Sequence, residues 1–399
     1  MNILIVTQYF YPEDFKVNDI AFDFVQRGHK VTVFTAKPNY PKGRFYNGYS
    51  FFGKSNEIIN GVEIIRIPIF PRFNGKGKYL IINYLSFLLF SFIYKHRVKG
   101  EFDVIFSHLP SPLISALPAI WFKKKFNAKL YLWVLDLWPE SLQANSNIKN
   151  GFLIKTLNKL INYIYNKSDV ILISSKFFEK SILEKGINNN IKIKYFPNWA
   201  EDIFINEKIE NVSLPKIKEG FNIMFAGNIG DSQDFDSILE AAKLTKDDNI
   251  NWLIVGDGRK LTWLKIEIQK HSLNNVYLLG RYPLNLMPSL FKIADAMLVT
   301  LKNNPIFSLT VPAKVQAYMA SSKIILGMFN GEGQDLINKS KCGYAVSAGD
   351  FIGLCENIKK IKKLSPEEKN QMELNSKEFY LDNFSKKNLF DFLESDFKK

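Results

Sequence analysis

Ser308-Leu-Thr-Val-Pro-Ala-Lys314-Val-Gln316-Ala-Tyr-Met-Ala320 joins two strand-like apolar runs, 296–300 before it and 323–327 after it. Its polar residues therefore collect where a strand ends and a helix begins. In an open parallel α/β sheet, ligands bind outside the carboxyl ends of the strands. A lysine near a helix start, Lys314, is a natural partner for phosphate. The stretch points to a chain that handles a phosphorylated ligand.

Outward from this stretch the same alternation recurs. Apolar runs at 2–7, 30–35, 62–67, 103–107, 128–135, 170–173 and 191–196 predict strands. Helical patterns at 17–27, 112–126, 152–167 and 175–185 lie between them. The pattern pauses at Phe196-Pro-Asn-Trp199, and a polar linker continues to about Gly220. It then restarts with strands at 221–226, 252–255, 276–279, 296–300 and 323–327. Short apolar strands alternating with helices predict βαβ units and a parallel sheet. A chain of 399 residues exceeds one ordinary core. Two doubly wound α/β halves meeting near residue 200 are expected, while helical runs at 366–379 and 385–397 lack a following strand.

Composition narrows the chemistry. Hydrophobic content of 46% and charged content of 23% are those of a globular protein. Two cysteines, Cys342 and Cys355, are too few for a disulfide framework and suit a reducing compartment. With four histidines, they also make a zinc centre unexpected. The first residues, Met1-Asn-Ile-Leu-Ile-Val6, lack a basic leader, so a cytoplasmic location is expected. The formal charge of +14, from 53 basic and 39 acidic residues, favours anionic partners. Aromatic residues sit in apolar runs rather than along a basic stripe, which argues against nucleic acid.

Residues 79–94 break the alternation, carrying no charge between the flanking Lys76, Lys78, Lys95, Arg97 and Lys99. A spanning helix needs about 20 apolar residues. Three readings stand: a buried helix, a helix lying in the plane of a membrane, or a span.

Glycine-rich turns follow three strands of the second half, at Gly227-Asn228-Ile-Gly230, Gly256-Asp-Gly258 and Gly280-Arg281. Glycine lets backbone approach a ligand and turn N–H groups toward phosphate oxygens. Arg281 has the geometry to pair a diphosphate through two parallel N–H bonds. Neither half carries a dinucleotide fingerprint or a Walker lysine loop, so a nicotinamide dehydrogenase and an ordinary ATPase are not expected. In the first half polar clusters end strands at 9–14, at Ser107-His108 and at Asp136-Leu-Trp-Pro-Glu140. Asp136 fits a carboxylate that binds sugar hydroxyls, or a helix cap. His108 fits a hydrogen-bond donor to developing charge, or a satisfied core group.

Taken in order, several strings resemble the family 4 glycosyltransferases. They are Tyr9-Phe-Tyr-Pro-Glu13, Asp136-Leu-Trp-Pro-Glu-Ser141, Ala226-Gly-Asn-Ile-Gly230, Val255-Gly-Asp-Gly258 and Val311-Pro-Ala-Lys-Val-Gln-Ala-Tyr-Met-Ala320. The likeness is closest to the bacterial group that includes N-acetyl-L-fucosamine transferases of surface-polysaccharide assembly. The resemblance implies an α/β fold of GT-B type, two Rossmann-like doubly wound domains facing across a cleft. Residues 1–199 would bind the acceptor and 200–379 the nucleotide sugar, with the last helix, 380–399, returning to the first domain. It further implies retention of anomeric configuration, no metal, no cofactor, and a UDP-sugar as substrate. The acceptor expected is a lipid-linked saccharide at the inner face of the cytoplasmic membrane, reached through 79–94. The family often carries two glutamates with seven residues between them; here the positions hold Ser308 and Gln316. A glycine pair in its first loop is replaced by Phe15-Lys16, with Lys16 a compensating cation. On this reading Lys314, Arg281, Asp136 and His108 are catalytic. Gly227, Asn228, Gly230, Gly256, Gly280, Arg281, Ser308, Lys314, Gln316 and Lys16 bind the donor. The alternatives are a UDP-sugar 2-epimerase of the same fold, and a non-catalytic basic protein that binds membrane or nucleic acid.

Overall fold

The protein is described by a computed structural model covering residues 1–399 apart from 74, 76, 146–150, 207–209, 211 and 214. Lys76, expected to flank the uncharged helix, lies outside the described residues. The chain forms two compact units, Met1–Phe196 with Asp396–Lys399, and Pro197–Ser395.

The first unit is built on an eight-stranded sheet of order β3-β4-β2-β1-β5-β6-β7-β8. Its strands are β1 (Asn2–Val6), β2 (Lys30–Ala36), β3 (Asn56–Ile59), β4 (Val62–Ile67), β5 (Val104–Leu109), β6 (Lys129–Val134), β7 (Val170–Ile173) and β8 (Lys192–Tyr195). All pair in parallel except β3, which runs antiparallel to β4. Strand β3 is absent from the sequence expectation. It exists because Asn60 and Gly61 both take positive φ, 49° and 80°, and close a two-residue hairpin. Ile3, Leu4, Ile5 and Val6 of β1 are all buried, as a strand covered on both faces requires. Helix α1 (Val17–Gln26) follows β1, α2 (Gly77–Tyr94) follows β4, and α3 (Leu117–Phe126) follows β5.

The second unit carries a six-stranded parallel sheet of order β11-β10-β9-β12-β13-β14. Its strands are β9 (Phe221–Ala226), β10 (Ile250–Val255), β11 (Val276–Gly280), β12 (Ala296–Thr300), β13 (Ile325–Met328) and β14 (Gly343–Val346). Ile223 and Phe225 enter one core, while Met224 and Ala226 enter the core on the opposite face. That alternation is the period of a strand. The short edge strand β14, only partly buried, escaped the sequence reading.

Both sheets reverse strand order at one point, between β1 and β5 and between β9 and β12. Each reversal leaves a crevice at the carboxyl ends of those strands.

The chain end differs from expectation in extent. Helix Pro366–Phe384 starts at a capping box of Ser365 and Glu368, and its Tyr380 and Phe384 enter the second unit's core. In helix Lys386–Phe397, Phe390 packs on Trp199 within the same unit. Only Asp396–Lys399 join the first unit, so the returning segment is far shorter than 380–399. Phe397 seats against Tyr131, Phe24 and Phe106 there, and the Tyr131 hydroxyl donates to the Asp396 carbonyl at 2.9 Å. The division between units falls after Phe196, three residues before the expected 199.

Candidate active site

The crevice between β9 and β12 holds Lys314, on the first turn of helix Ala313–Ala320. Its Nζ donates to Gln233 Oε1 at 2.7 Å and lies 3.6 Å from the centre of the Phe225 ring. Both partners are neutral. Burial pushes the Lys314 ammonium down to about 7, with no other cause acting. Among the described residues no carboxylate pairs with it. An interior cation without a counter-ion is costly, so this geometry suits an anion supplied from solution.

Glycines make room for this arrangement. Gly227, at φ +141°, could carry a Cβ only 2.7 Å from Lys314 Cε. At Gly256, φ +142°, a Cβ would fall 1.8 Å from the Gly227 carbonyl oxygen, and at Gly258 it would fall 2.3 Å from that of Ile229. The two loops thus pack backbone on backbone. The Gly227 and Ile229 N–H groups donate to Val255 and Asp257 carbonyls at 2.9 and 2.8 Å. This corrects the expectation that N–H groups throughout 227–230 face a phosphate, since these two are committed to the sheet. The Gly256 N–H likewise donates to Gly280, at 2.7 Å. Gly230 lies under the Asn228 side chain.

Gln233 was not singled out in the sequence. Its carbonyl accepts from Thr300 Oγ1, at the end of β12, and its side chain holds Lys314, 81 residues away. No local spacing could have signalled that contact. Arg281 is exposed just beyond the edge strand β11, two strand spacings from β9, or roughly 10 Å. Ser308 donates to the Asn304 carbonyl at 3.4 Å and sits with its own carbonyl against Gly331. Gln316 is 1% exposed and its Oε1 has no hydrogen-bond partner among the described residues. It lies two residues after Lys314, roughly 200° around the helix, so the two do not share a face.

The first unit has its own cluster between β1 and β5. Thr7 Oγ1 and His108 Nδ1 are 3.1 Å apart, both buried. Burial pushes His108 down to about 3, so its imidazole is neutral at physiological pH and serves as a hydrogen-bonding group. Asp136 is half-buried, and burial raises its pKa above the ordinary carboxylate value, against hydrogen bonds from Ser141, Trp138 and Ser111. The Ser141 contact is local and comes from the hydroxyl, five residues on in the helix Glu140–Asn145. Lys16 is half-buried at the start of α1.

Glu13, part of a noted motif but assigned no role, proves central. It is buried and accepts the backbone N–H groups of Phe10, Asn39 and Tyr40 at 3.2, 2.8 and 2.7 Å. It thereby ties the loop after β1 to the loop after β2. Around it Tyr9, Phe15 and Tyr40 pack with ring centres 4.9 to 5.7 Å apart, and Arg72 covers Tyr40.

Residues 17–201 match Glycosyltransferase Family 4, and residues 206–379 match Glycosyl transferases group 1. The chain is a glycosyltransferase of the GT-B fold. WbjE of Pseudomonas aeruginosa, described as a glycosyltransferase, is 27% identical over 74% of this chain and 75% of its own. WcaI of Escherichia coli K12, described as a colanic acid biosynthesis glycosyl transferase, is 24% identical over 76% and 77%. In fold, the glycosyltransferase is similar to the E. coli trehalose-6-phosphate protein solved with UDP-2-fluoro glucose. That likeness has a TM-score of 0.72 at 12% identity over 100% of this chain and 99% of the other. The architecture is GT-B, as the motif strings implied. Within this glycosyltransferase Lys314, Gly227, Gly256, Gly230 and Asn228 gather at one crevice, whereas Arg281 stands at the sheet edge and Gln316 faces another way. Asp136, His108 and Lys16 belong to the first unit.

Proposed function

We propose that this glycosyltransferase moves a sugar from a UDP-sugar to a lipid-linked saccharide, with retention and without a metal, in surface-polysaccharide synthesis. It would work as a peripheral protein at the inner face of the cytoplasmic membrane. An N-acetylated deoxyhexosamine such as L-FucNAc is the sugar suggested by the motif strings. The observation that carries the reading is Lys314, a cation in a crevice whose only partners among the described residues are an amide oxygen and a ring. A departing diphosphate supplies the missing negative charge, and Lys314 stabilises it as the bond to the sugar breaks. The acceptor hydroxyl enters on the face the phosphate leaves, and its proton passes to that phosphate. No enzymatic base is needed, which agrees with the low basicity that burial gives His108. His108 and Asp136 then orient hydroxyls on the acceptor side.

The test is thermal unfolding with UDP-, GDP-, dTDP- and ADP-sugars. A ligand at a hundredfold its dissociation constant adds about 2.7 kcal/mol. Stabilisation by the UDP-sugars, absent in Lys314→Ala, is expected, and kcat in that variant should fall by about 10²–10³. Full stabilisation or unchanged turnover in Lys314→Ala would remove the assignment. Incubation without acceptor should return the donor sugar with its configuration at C2 intact; inversion there would identify an epimerase.

A further inference from the structure

Helix α2 is inside out for a soluble protein. Its buried positions include Asn83, Ser86 and Ser91, while Ile81, Leu85, Leu89 and Phe92 are each 54–59% exposed. Those four lie at i, i+4, i+8 and i+11, one stripe along the helix. The inner face is fixed by hydrogen bonds. Asn83 Nδ2 donates to the Phe70 carbonyl at 2.6 Å, Asn83 Oδ1 accepts from Gln8 Nε2 at 2.7 Å, and Ser86 Oγ accepts from Phe70 N–H at 3.0 Å. Of the three readings, the buried helix is therefore overturned. A span is equally disfavoured, because a helix with one face bonded to the loop after β1 and to the β4–α2 loop cannot be ringed by lipid.

The helix ends among cations and aromatic rings. Lys95 Nζ lies 3.9 Å from the centre of the Phe92 ring and 5.8 Å from that of Trp121 on α3. Lys95, His96, Trp121, Phe122 and Lys125 line a cleft of about 350 Å³. Among the described residues neither Lys95 nor Lys125 pairs with a carboxylate; Lys125 donates to the Val98 carbonyl at 2.6 Å. Lys78 stands at the other end of the stripe. Apolar side chains between cations, with a tryptophan at the boundary, match the layers of an anionic bilayer surface.

We propose that α2 lies in the plane of an anionic phospholipid bilayer. Ile81, Leu85, Leu89 and Phe92 sit below the headgroups, and the Lys95–Lys125 cleft takes a lipid phosphate. The inference rests on the lipid-linked acceptor reading for its setting and names the surface that meets the membrane. Through Asn83 and Gln8 the same helix holds the carboxyl end of β1, so the membrane-facing element also shapes the first unit's crevice.

The test is co-sedimentation of the full-length protein with vesicles of phosphatidylcholine, with and without about one third phosphatidylglycerol. Binding to the anionic vesicles is expected, with at least tenfold weaker binding to the neutral ones. Leu85→Glu with Leu89→Glu should lower anionic binding at least tenfold. Lys95→Gln and Lys125→Gln should lower it roughly fivefold each. UDP-sugar stabilisation, measured without vesicles, should persist in every variant. That shows each is folded, and it keeps failure of docking separate from failure of the donor assignment. Wild-type protein left in the supernatant with both vesicles, or glutamate variants that bind like wild type, would overturn the proposal. So would a vesicle-free dimer that the glutamate pair converts to monomer, since the stripe would then belong to a second copy.

Discussion

Replacing Lys314 with methionine should stabilise the unliganded protein while abolishing its response to a UDP-sugar. Burial lowers the lysine from 10.5 to about 7. Each unit corresponds to about 1.36 kcal/mol, so the charged form carries a few kcal/mol of cost in the folded state. The bond to Gln233 and the Phe225 ring offset part of that, which leaves about 2–4 kcal/mol at pH 6. Methionine keeps the unbranched stem without the charge. For a domain this size it should raise Tm by about 5–10 °C. The sign with pH follows. The folded-state value lies below the unfolded one, so the folded protein binds fewer protons between them. Wild-type stability is then flat below about 7 and rises from there toward 10.5. The methionine variant lacks that rise.

Ligand binding reverses the slope. A diphosphate favours the charged lysine, so affinity is full below 7 and falls about tenfold per pH unit above it. Calorimetric titration with a UDP-sugar at pH 6.5 and 8.5 should show about 25-fold weaker binding at the higher pH. A UDP-sugar is the right probe, because a terminal phosphate titrates near 6 by itself. Lys314→Arg keeps its charge throughout and should bind with little pH dependence. Affinity that is flat with pH in the wild type, or a Lys314→Met protein less stable than wild type at pH 6, would refute the picture of an uncompensated cation.

Three further outcomes are expected. Gly256→Ala should destabilise by more than about 3 kcal/mol, because its Cβ meets fixed backbone, whereas Gly227→Ala meets the end of a lysine and should cost about 1–2 kcal/mol while still weakening UDP-sugar binding; urea unfolding of both compares them. Glu13 is raised from 4.5 to about 7 by burial, so its folded form prefers the proton, and wild type should lose up to about 3 kcal/mol relative to Glu13→Gln between pH 4.5 and 7; a difference constant with pH would show that the three N–H bonds win instead. His108→Gln should slow turnover without adding or removing a limb of the pH–rate profile between 5 and 8, because the imidazole stays neutral there.

The strands were legible because a sheet covered on both faces demands unbroken apolar runs, and β1 and β9 supply them. Lys314 was legible for the same reason, since it follows a strand at the start of a helix. The Asn60-Gly61 turn was also in view, yet β3 between exposed Asn56 and half-exposed Ile59 offers no apolar run to draw attention to it. Gln233 could not be found at all, because its bond to Lys314 exists only once β9 and β12 lie side by side. Helix α2 marks a different limit. Hydrophobic periodicity identifies the face a helix buries by assuming that water lies opposite. Residues 79–94 are apolar nearly all round, so the informative signal is the inverse one, the polar residues at 83, 86 and 91 that share a face. Asn83 and Ser86 find their partners in Gln8 and in the Phe70 and Asn83 backbone, which lipid does not offer; Ser91 is buried on the same side without a partner among the described residues. The polar stripe therefore faces the protein, and what remains is an apolar surface for which water is the wrong solvent. The docking proposal follows from where Asn83 and Ser86 must go, rather than from the hydrophobicity of the rest.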